Sequence, residues 1–220
     1  MPSDAPPSHK LADYRVDATH AVAVFCWSRT EEGTPQWAQA ERVGALAATH
    51  GFSIVSGGYC GSMEAVSKGA RAVIDSRGAA APETCEVVGV VVSGIFPDRR
   101  LTGNAYLTRT IDSDSMLHRI DQMMRLARYF VCLPGTMGTL QELTCVWMSA
   151  VLHPQTCAQP VIIAFRDPWE SCCRAIAATL NFPPDQIELI HFVDTPEEAM
   201  EIVLAEEARE RAREAAAATA

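Results

Sequence analysis

Two residue spacings are missing from this chain, and with them the usual signs of a bound metal. Its eight cysteines, at positions 26, 60, 85, 132, 145, 157, 172 and 173, include no Cys-x-x-Cys pair, and its six histidines include no His-x-x-x-His. On these grounds no metal site is expected, and no cofactor is expected either. Several cysteines lie inside apolar runs, where a thiol packs as a small hydrophobe and stays reduced. No apolar run approaches the roughly 20 residues that a membrane helix needs, so a membrane is not expected among the partners. The first ten residues, Met-Pro-Ser-Asp-Ala-Pro-Pro-Ser-His-Lys, lack the charged-then-apolar order of a secretory signal, and the chain reads as cytoplasmic. A basic stripe is missing too, which argues against nucleic acid as a partner. The net charge is −9, and residues 196–220 alone carry seven Glu against three Arg. The body is therefore only mildly acidic, and a small anionic ligand needs a local site.

What is present is a chain of 220 residues, 48% of them hydrophobic, which suits one α/β domain. Residues 1–18 are rich in Pro, Ser and Asp and read as a mobile arm. Residues 19–204 read as a single domain, and 205–220 as a charged helical tail. Residues 21–26 are a continuous apolar run of the kind that suits a parallel strand covered on both faces. Trp27-Ser28-Arg29 follows at the carboxyl end of that run, where open α/β sheets bind ligands. Ser28 is thus a candidate contact, although a plain turn serine explains it equally.

Residues 35–50 place Trp37, Ala40, Val43, Leu46 and Ala47 at helical spacing, and Gly51 ends the helix. A second strand, 52–55, runs into the glycine turn Ser56-Gly57-Gly58-Tyr59-Cys60-Gly61-Ser62-Met63 and a further helical pattern. Residues 76–86 read as a surface loop, 87–92 as a third strand, and 93–112 as a long irregular connection, a frequent seat of function. Ser113-Asp114-Ser115 offers a helix cap, after which Met116, Ile120, Met123 and Ala127 share one stripe. Taking about 100° per residue, Arg119 lies about 60° from the middle of that stripe. By itself it reads as an arginine that lays its stem on the core and holds its head in water. Arg125 and Arg128 read as more solvated still.

The rest is organised around residues 128–142. A strand over 129–133 is ended by Pro134-Gly135, and Gly138-Thr139 opens a helix that runs to about residue 152. The first N–H groups of such a helix have no partners inside it and point into the turn, where a phosphate or carboxylate can accept from them. Thr139-x-x-Glu142 is equally a capping box, which needs no ligand. A strand over 160–165, a helix capped at Asp167-Pro168, a strand within 187–193 and a helix opened by a second box, Thr195-Pro196-Glu197-Glu198, complete the chain. Strand, turn and helix in this alternation indicate an α/β fold: a doubly wound parallel sheet with helices on both faces.

Three motifs in register then resemble the LOG family, cytokinin-activating nucleoside 5′-monophosphate phosphoribohydrolases formerly mislabelled lysine decarboxylases. The family's Pro-Gly-Gly-x-Gly-Thr-x-x-Glu signature is similar to Pro134-Gly135-Thr136-Met137-Gly138-Thr139-Leu140-Gln141-Glu142. Its Gly-Gly-x-x-Gly-Leu-Met turn resembles Gly57-Gly58-Tyr59-Cys60-Gly61-Ser62-Met63, and its Met-x-x-Arg-Lys stretch resembles Met116-Leu117-His118-Arg119-Ile120. Arg119 stands fifteen residues before Pro134, the family spacing. The chain departs from the pattern at Thr136 for the second glycine, Ile120 for the lysine, Trp27 for a glycine, and Met148-Ser149 for a Thr-Trp pair.

The resemblance spans roughly residues 20–203. It implies a Rossmann-like fold, a homodimer, and Arg119 and Glu142 as the catalytic pair. The implied substrate is a nucleoside 5′-monophosphate, either a cytokinin riboside monophosphate or AMP, cleaved to free base and ribose 5-phosphate. Its contacts are expected from Ser28, Gly57, Gly58, Gly61, Met116, Gly135, Thr136, Met137, Gly138 and Thr139. Bond cleavage of this kind passes through a ribosyl cation-like state, which a carboxylate beside C1′ stabilises while taking a proton from water. Two alternatives stay open: a carrier of the same superfamily that holds a nucleotide or molybdenum cofactor without hydrolysing it, and a nucleosidase for another nucleotide.

Overall fold

The computed structural model describes residues 20–77, 85–92, 103–152 and 159–218. The arm expected over residues 1–18 lies outside these, as do 78–84 of the surface loop and 93–102 of the irregular connection. Among the described residues seven strands form one sheet: β1 (Ala21–Phe25), β2 (Ser53–Ser56), β3 (Val87–Val92), β4 (Arg109–Ser113), β5 (Tyr129–Cys132), β6 (Val161–Phe165) and β7 (Ile190–Val193). Their order is β4-β3-β2-β1-β5-β6-β7, and every neighbouring pair is parallel. The helices are α1 (Pro35–Thr49), α2 (Ser62–Arg77), α3 (Met116–Arg125), α4 (Met137–Leu152), α5 (Arg166–Thr179), α6 (Pro184–Ile187) and α7 (Pro196–Ala218).

β1, β2, β3, β5 and β6 are buried at every position, which is why their sequences do not alternate apolar with polar, although β2 begins and ends on the buried Ser53 and Ser56. Successive side chains enter different cores. Val22 and Val24 pack with α1, α2 and α7, whereas Ala21, Ala23 and Phe25 pack with α3, α4 and α5. The fold is therefore the doubly wound, Rossmann-like arrangement. On the first face α1 and α2 touch backbone to backbone. A Cβ on Gly44 would lie 2.0 Å from the Val66 carbonyl oxygen, and one on Gly69 would lie 1.9 Å from that of Glu41.

Several sequence expectations need correction. The connection read as irregular over 93–112 ends in a strand, β4, whose five residues include one apolar side chain, Ile111. Among the described strands it lies at the edge and pairs with β3 alone, so it has no need of a continuous apolar run. The helix expected from Gly138-Thr139 begins earlier, at Met137. Asp167 has extended dihedrals (φ −93°, ψ 121°), so regular helix resumes at Pro168, yet the Asp167 side chain makes no capping bond with the described residues. Arg128 is not solvated: it pairs with Glu210 of α7 at 3.1 Å, both side chains largely buried. α7 runs without a break from the body into the region read as a tail.

The topology also places a site. From β1 the chain lays down β2, β3 and β4 on one side, then returns to set β5 against the other edge of β1. The loops leaving β1 and β5 therefore diverge, and the crevice between their carboxyl ends is where doubly wound sheets bind ligands.

Candidate functional site

A cavity of about 170 Å³ opens at that crevice. Ser28 and Trp27 reach it from the loop after β1, Tyr59 and Met63 from the turn after β2, and Met116 and Arg119 from α3. Thr136, Gly138, Thr139 and Glu142 reach it from the start of α4. Arg119 is only 4% exposed and Glu142 only 7%, and the arginine Nη1 donates to Glu142 Oε1 at 3.0 Å. Arg119 Nε donates to the Val90 carbonyl of β3 at 2.7 Å, and its guanidinium lies 5.9 Å from the centre of the Tyr59 ring. The reading of Arg119 as an arginine with its head in water is thus overturned. One strand carbonyl and one carboxylate hold its head inside the protein.

The glycine turn after β2 makes room for this arrangement. A Cβ on Gly57 would stand 1.7 Å from Arg119 Nη2 and 2.5 Å from Met63 Sδ. Gly58 (φ 72°) and Gly61 (φ 68°) have left-handed backbone that only glycine adopts without strain, and Gly61 packs on the Trp27 and Ser28 backbone. The N–H groups after these glycines are partly committed within the protein: Gly58 N donates to Ser56 Oγ at 3.2 Å and Ser62 N to the Trp27 carbonyl at 2.9 Å. Gly57, Gly58 and Gly61 therefore lie beneath the cavity wall and shape it. We expect Gly57→Ala to push the guanidinium off Glu142. Activity should fall at least tenfold with a loss of about 1–3 kcal/mol in stability, the usual cost of overpacking; turnover read beside thermal unfolding tests this.

At the entrance of α4 the Thr136 carbonyl accepts from Leu140 N at 2.9 Å, so Thr136 is the cap and Thr139 lies in the first turn. The Thr139-x-x-Glu142 capping box is therefore not formed. Glu142 points inward to Arg119, while the second box is real, with Glu198 N donating to Thr195 Oγ1 at 3.2 Å. Gly135 packs against Thr139, a Cβ there lying 2.2 Å from Thr139 Oγ1. A Cβ on Gly138 would meet nothing within 4 Å, and the first N–H groups of α4, as at any helix start, have no acceptor within the helix. Met137, at 76% exposed, is turned to solvent.

Burial pushes the Glu142 carboxyl above its ordinary value, and the Arg119 charge and hydrogen bond hold it back. Cys26 also lines the cavity, but burial, reinforced by the Glu142 charge, raises its thiol far above the usual range. It remains a neutral thiol, unsuited to act as a nucleophile. Sequence reasoning did not single out Cys26, Tyr59 or Met63. Tyr59 and Met63 stand inside the glycine-turn motif, where their positions were legible but their contact with Arg119 was not.

The motifs that meet at this cavity match known proteins. A family model described as "Possible lysine decarboxylase" matches residues 63–203, which include Arg119 and the whole signature from Pro134 to Glu142. The chain belongs to this family, the LOG family. A rice (Oryza sativa subsp. japonica) relative described as a probable cytokinin riboside 5′-monophosphate phosphoribohydrolase, LOGL5, is 34% identical over 134 residues. That match covers 60% of this chain and only 50% of the relative, so the chain spans about half the length of the curated relative. Among solved structures, a molybdenum cofactor binding protein from Rippkaea orientalis superposes with a TM-score of 0.59 at 17% identity, covering 84% of this chain and 95% of that one. A molybdenum cofactor carrier protein from Chlamydomonas reinhardtii gives 0.59 and 17%, over 84% and 98%. At such identity these two show the fold.

Each departure from the LOG pattern has a place in the structure. Ile120 is buried in α3, where its apolar side chain faces the core and a lysine head would lack water. Thr136 is exposed at the mouth of the cavity, and Trp27, 40% exposed, stands beside it. Met148 is exposed on the outer face of α4, away from the cavity. Among the described residues no cluster of His, Cys, Asp and Glu is arranged to hold a metal, and no helix is long and apolar enough to cross a membrane.

Proposed function

We propose that this LOG-family chain hydrolyses the N-glycosidic bond of a nucleoside 5′-monophosphate, a cytokinin riboside monophosphate or AMP, giving free base and ribose 5-phosphate. The observation that carries the reading is the buried Arg119–Glu142 pair on the wall of a cavity that also opens on the first turn of α4. A phosphate at the N–H groups of residues 137–139 brings the ribose within reach of Glu142, one helical turn further along. The carboxylate then faces the developing positive charge at C1′ and accepts a proton from the attacking water. Arg119 holds Glu142 in place and presents a fixed positive charge to the electron-rich base. Purified protein incubated with AMP and with isopentenyladenosine monophosphate, followed by chromatography, tests this. Free base and ribose 5-phosphate support the reading, whereas binding without cleavage would favour a carrier.

The raised carboxyl of Glu142 has a pH signature. The base must be ionised, so the acidic limb of kcat/KM is expected to have its midpoint above 4.5, the ordinary value for glutamate. The sign for stability is opposite. A carboxyl that holds its proton more tightly when folded favours the fold at low pH, and that contribution is lost as pH rises through the raised value. A kcat/KM limb at or below 4.5 would remove Glu142 from the role of base.

The chain is also proposed to act as a homodimer. Met137, Met148 and Leu152 are exposed along one side of α4, and Leu117 is exposed on neighbouring α3. An apolar stripe on the two helices that carry the reactive pair suits burial against a second copy. Sedimentation should show a dimer that Leu117→Glu with Met148→Glu converts to monomer; a wild-type monomer would discard the proposal.

A further inference from the structure

A second cavity, of about 380 Å³, adjoins the first and shares Trp27 and Thr136 with it. It is walled by Pro134 and Gly135, so it lies across the α4 entrance from Glu142. The first cavity, at about 170 Å³, is smaller than the roughly 300–1,000 Å³ usual for ligand sites, whereas the second, at about 380 Å³, lies within that range. The polar groups of the second cavity sort themselves by their bonds. The Thr30 hydroxyl is committed to Ser62 Oγ at 2.6 Å, and Thr34 Oγ1 caps α1 by accepting from Trp37 N at 3.3 Å. Arg29 makes no hydrogen bond or ion pair with the described residues, although Glu31 lines the same cavity and its carboxylate is likewise unpaired.

We infer that this second cavity receives a further phosphoryl group, so that the ligand class extends from nucleoside 5′-monophosphates to nucleoside 5′-diphosphates. The inference rests on the nucleotide reading above. With C1′ at Glu142 and the 5′-phosphate at the entrance of α4, the base leaves the ribose from C1′ and remains on the Glu142 side. Whatever extends past Thr136 is joined through the phosphate. Among the described residues Arg29 is the one cation in the lining of that space, and a guanidinium matches phosphate oxygens in a forked pair of hydrogen bonds. Glu31 opposes it and limits the gain. The bond cut is unchanged: C1′–N breaks, C1′–O forms from water, the water proton ends on the base, and ribose 5-diphosphate leaves.

The test uses binding, so that it does not depend on turnover. In a Glu142→Gln background, AMP and ADP are titrated by calorimetry in the presence of a chelator. ADP is expected to bind about tenfold more tightly than AMP, as one added charge-assisted contact gives. Arg29→Ala should bring the two dissociation constants within about twofold without weakening AMP, and Glu31→Gln should widen the gap, since both act by charge. ADP binding no tighter than AMP, or a preference that survives Arg29→Ala, overturns the inference while leaving the monophosphate reading intact. Failure of both nucleotides to bind overturns both.

Discussion

Glu142→Gln is expected to lower base release by about a thousandfold or more while leaving the fold nearly unchanged. A positioned general base contributes about 10²–10⁴ in rate, and in the proposed mechanism the same carboxylate also faces the ribosyl cation, so its loss would remove two effects at once. The fold tolerates the change for a reason visible in the site. An amide oxygen in place of Oε1 can still accept from Arg119 Nη1, and Arg119 keeps its bond to the Val90 carbonyl. The variant also removes a carboxyl that burial disfavours in its charged form. Stability should therefore change by about 1 kcal/mol, or about 2–4 °C in Tm for a chain of this size. Chromatographic release of base from AMP, read beside thermal unfolding, separates the two effects. Full activity in the variant would exclude Glu142 from the chemistry, and unfolding at room temperature would show that the pair is structural first.

The site's residues were more legible in the sequence than its contacts. Glycine turns after apolar runs, at Gly57 and Gly135, marked the carboxyl ends of strands, and β3 matched its expected bounds because a strand buried on both faces is written as unbroken valine around Gly89. β4 was invisible for the converse reason. An edge strand has one hydrogen-bonded neighbour and tolerates Arg109, Thr110 and Asp112 among its five residues. Helical periodicity put Arg119 at the margin of the buried stripe but could not show that Gly57, 62 positions earlier, vacates the space its guanidinium fills. The two Thr-x-x-Glu segments make the same point. They are alike in sequence, yet one caps α7 and the other turns its glutamate into the core, because only the second faces an arginine from across the sheet's crevice. Arg128 and Glu210 are 82 residues apart, so local periodicity carries no information that they meet.

Arg119→Met is expected to destabilise the protein by about 3–5 kcal/mol, the usual cost of leaving one member of a buried ion pair without its partner. For a chain of this length that is about 6–20 °C in Tm. The double variant Arg119→Met with Glu142→Leu should recover most of the loss, because apolar side chains of similar volume often replace a buried pair at little cost. Chemical denaturation of the two single variants and the double closes the cycle, and a coupling energy near zero would mean that the two side chains do not act as a pair. Activity should behave differently from stability across the same cycle. All three variants should lose base release, the double included, even where its stability returns to the wild-type value. A site that can be made equally stable without charge, but not equally active, holds its charges for what they do to a ligand. That divergence is what the buried position of Arg119, held by Val90 and fitted against Gly57, leads one to expect.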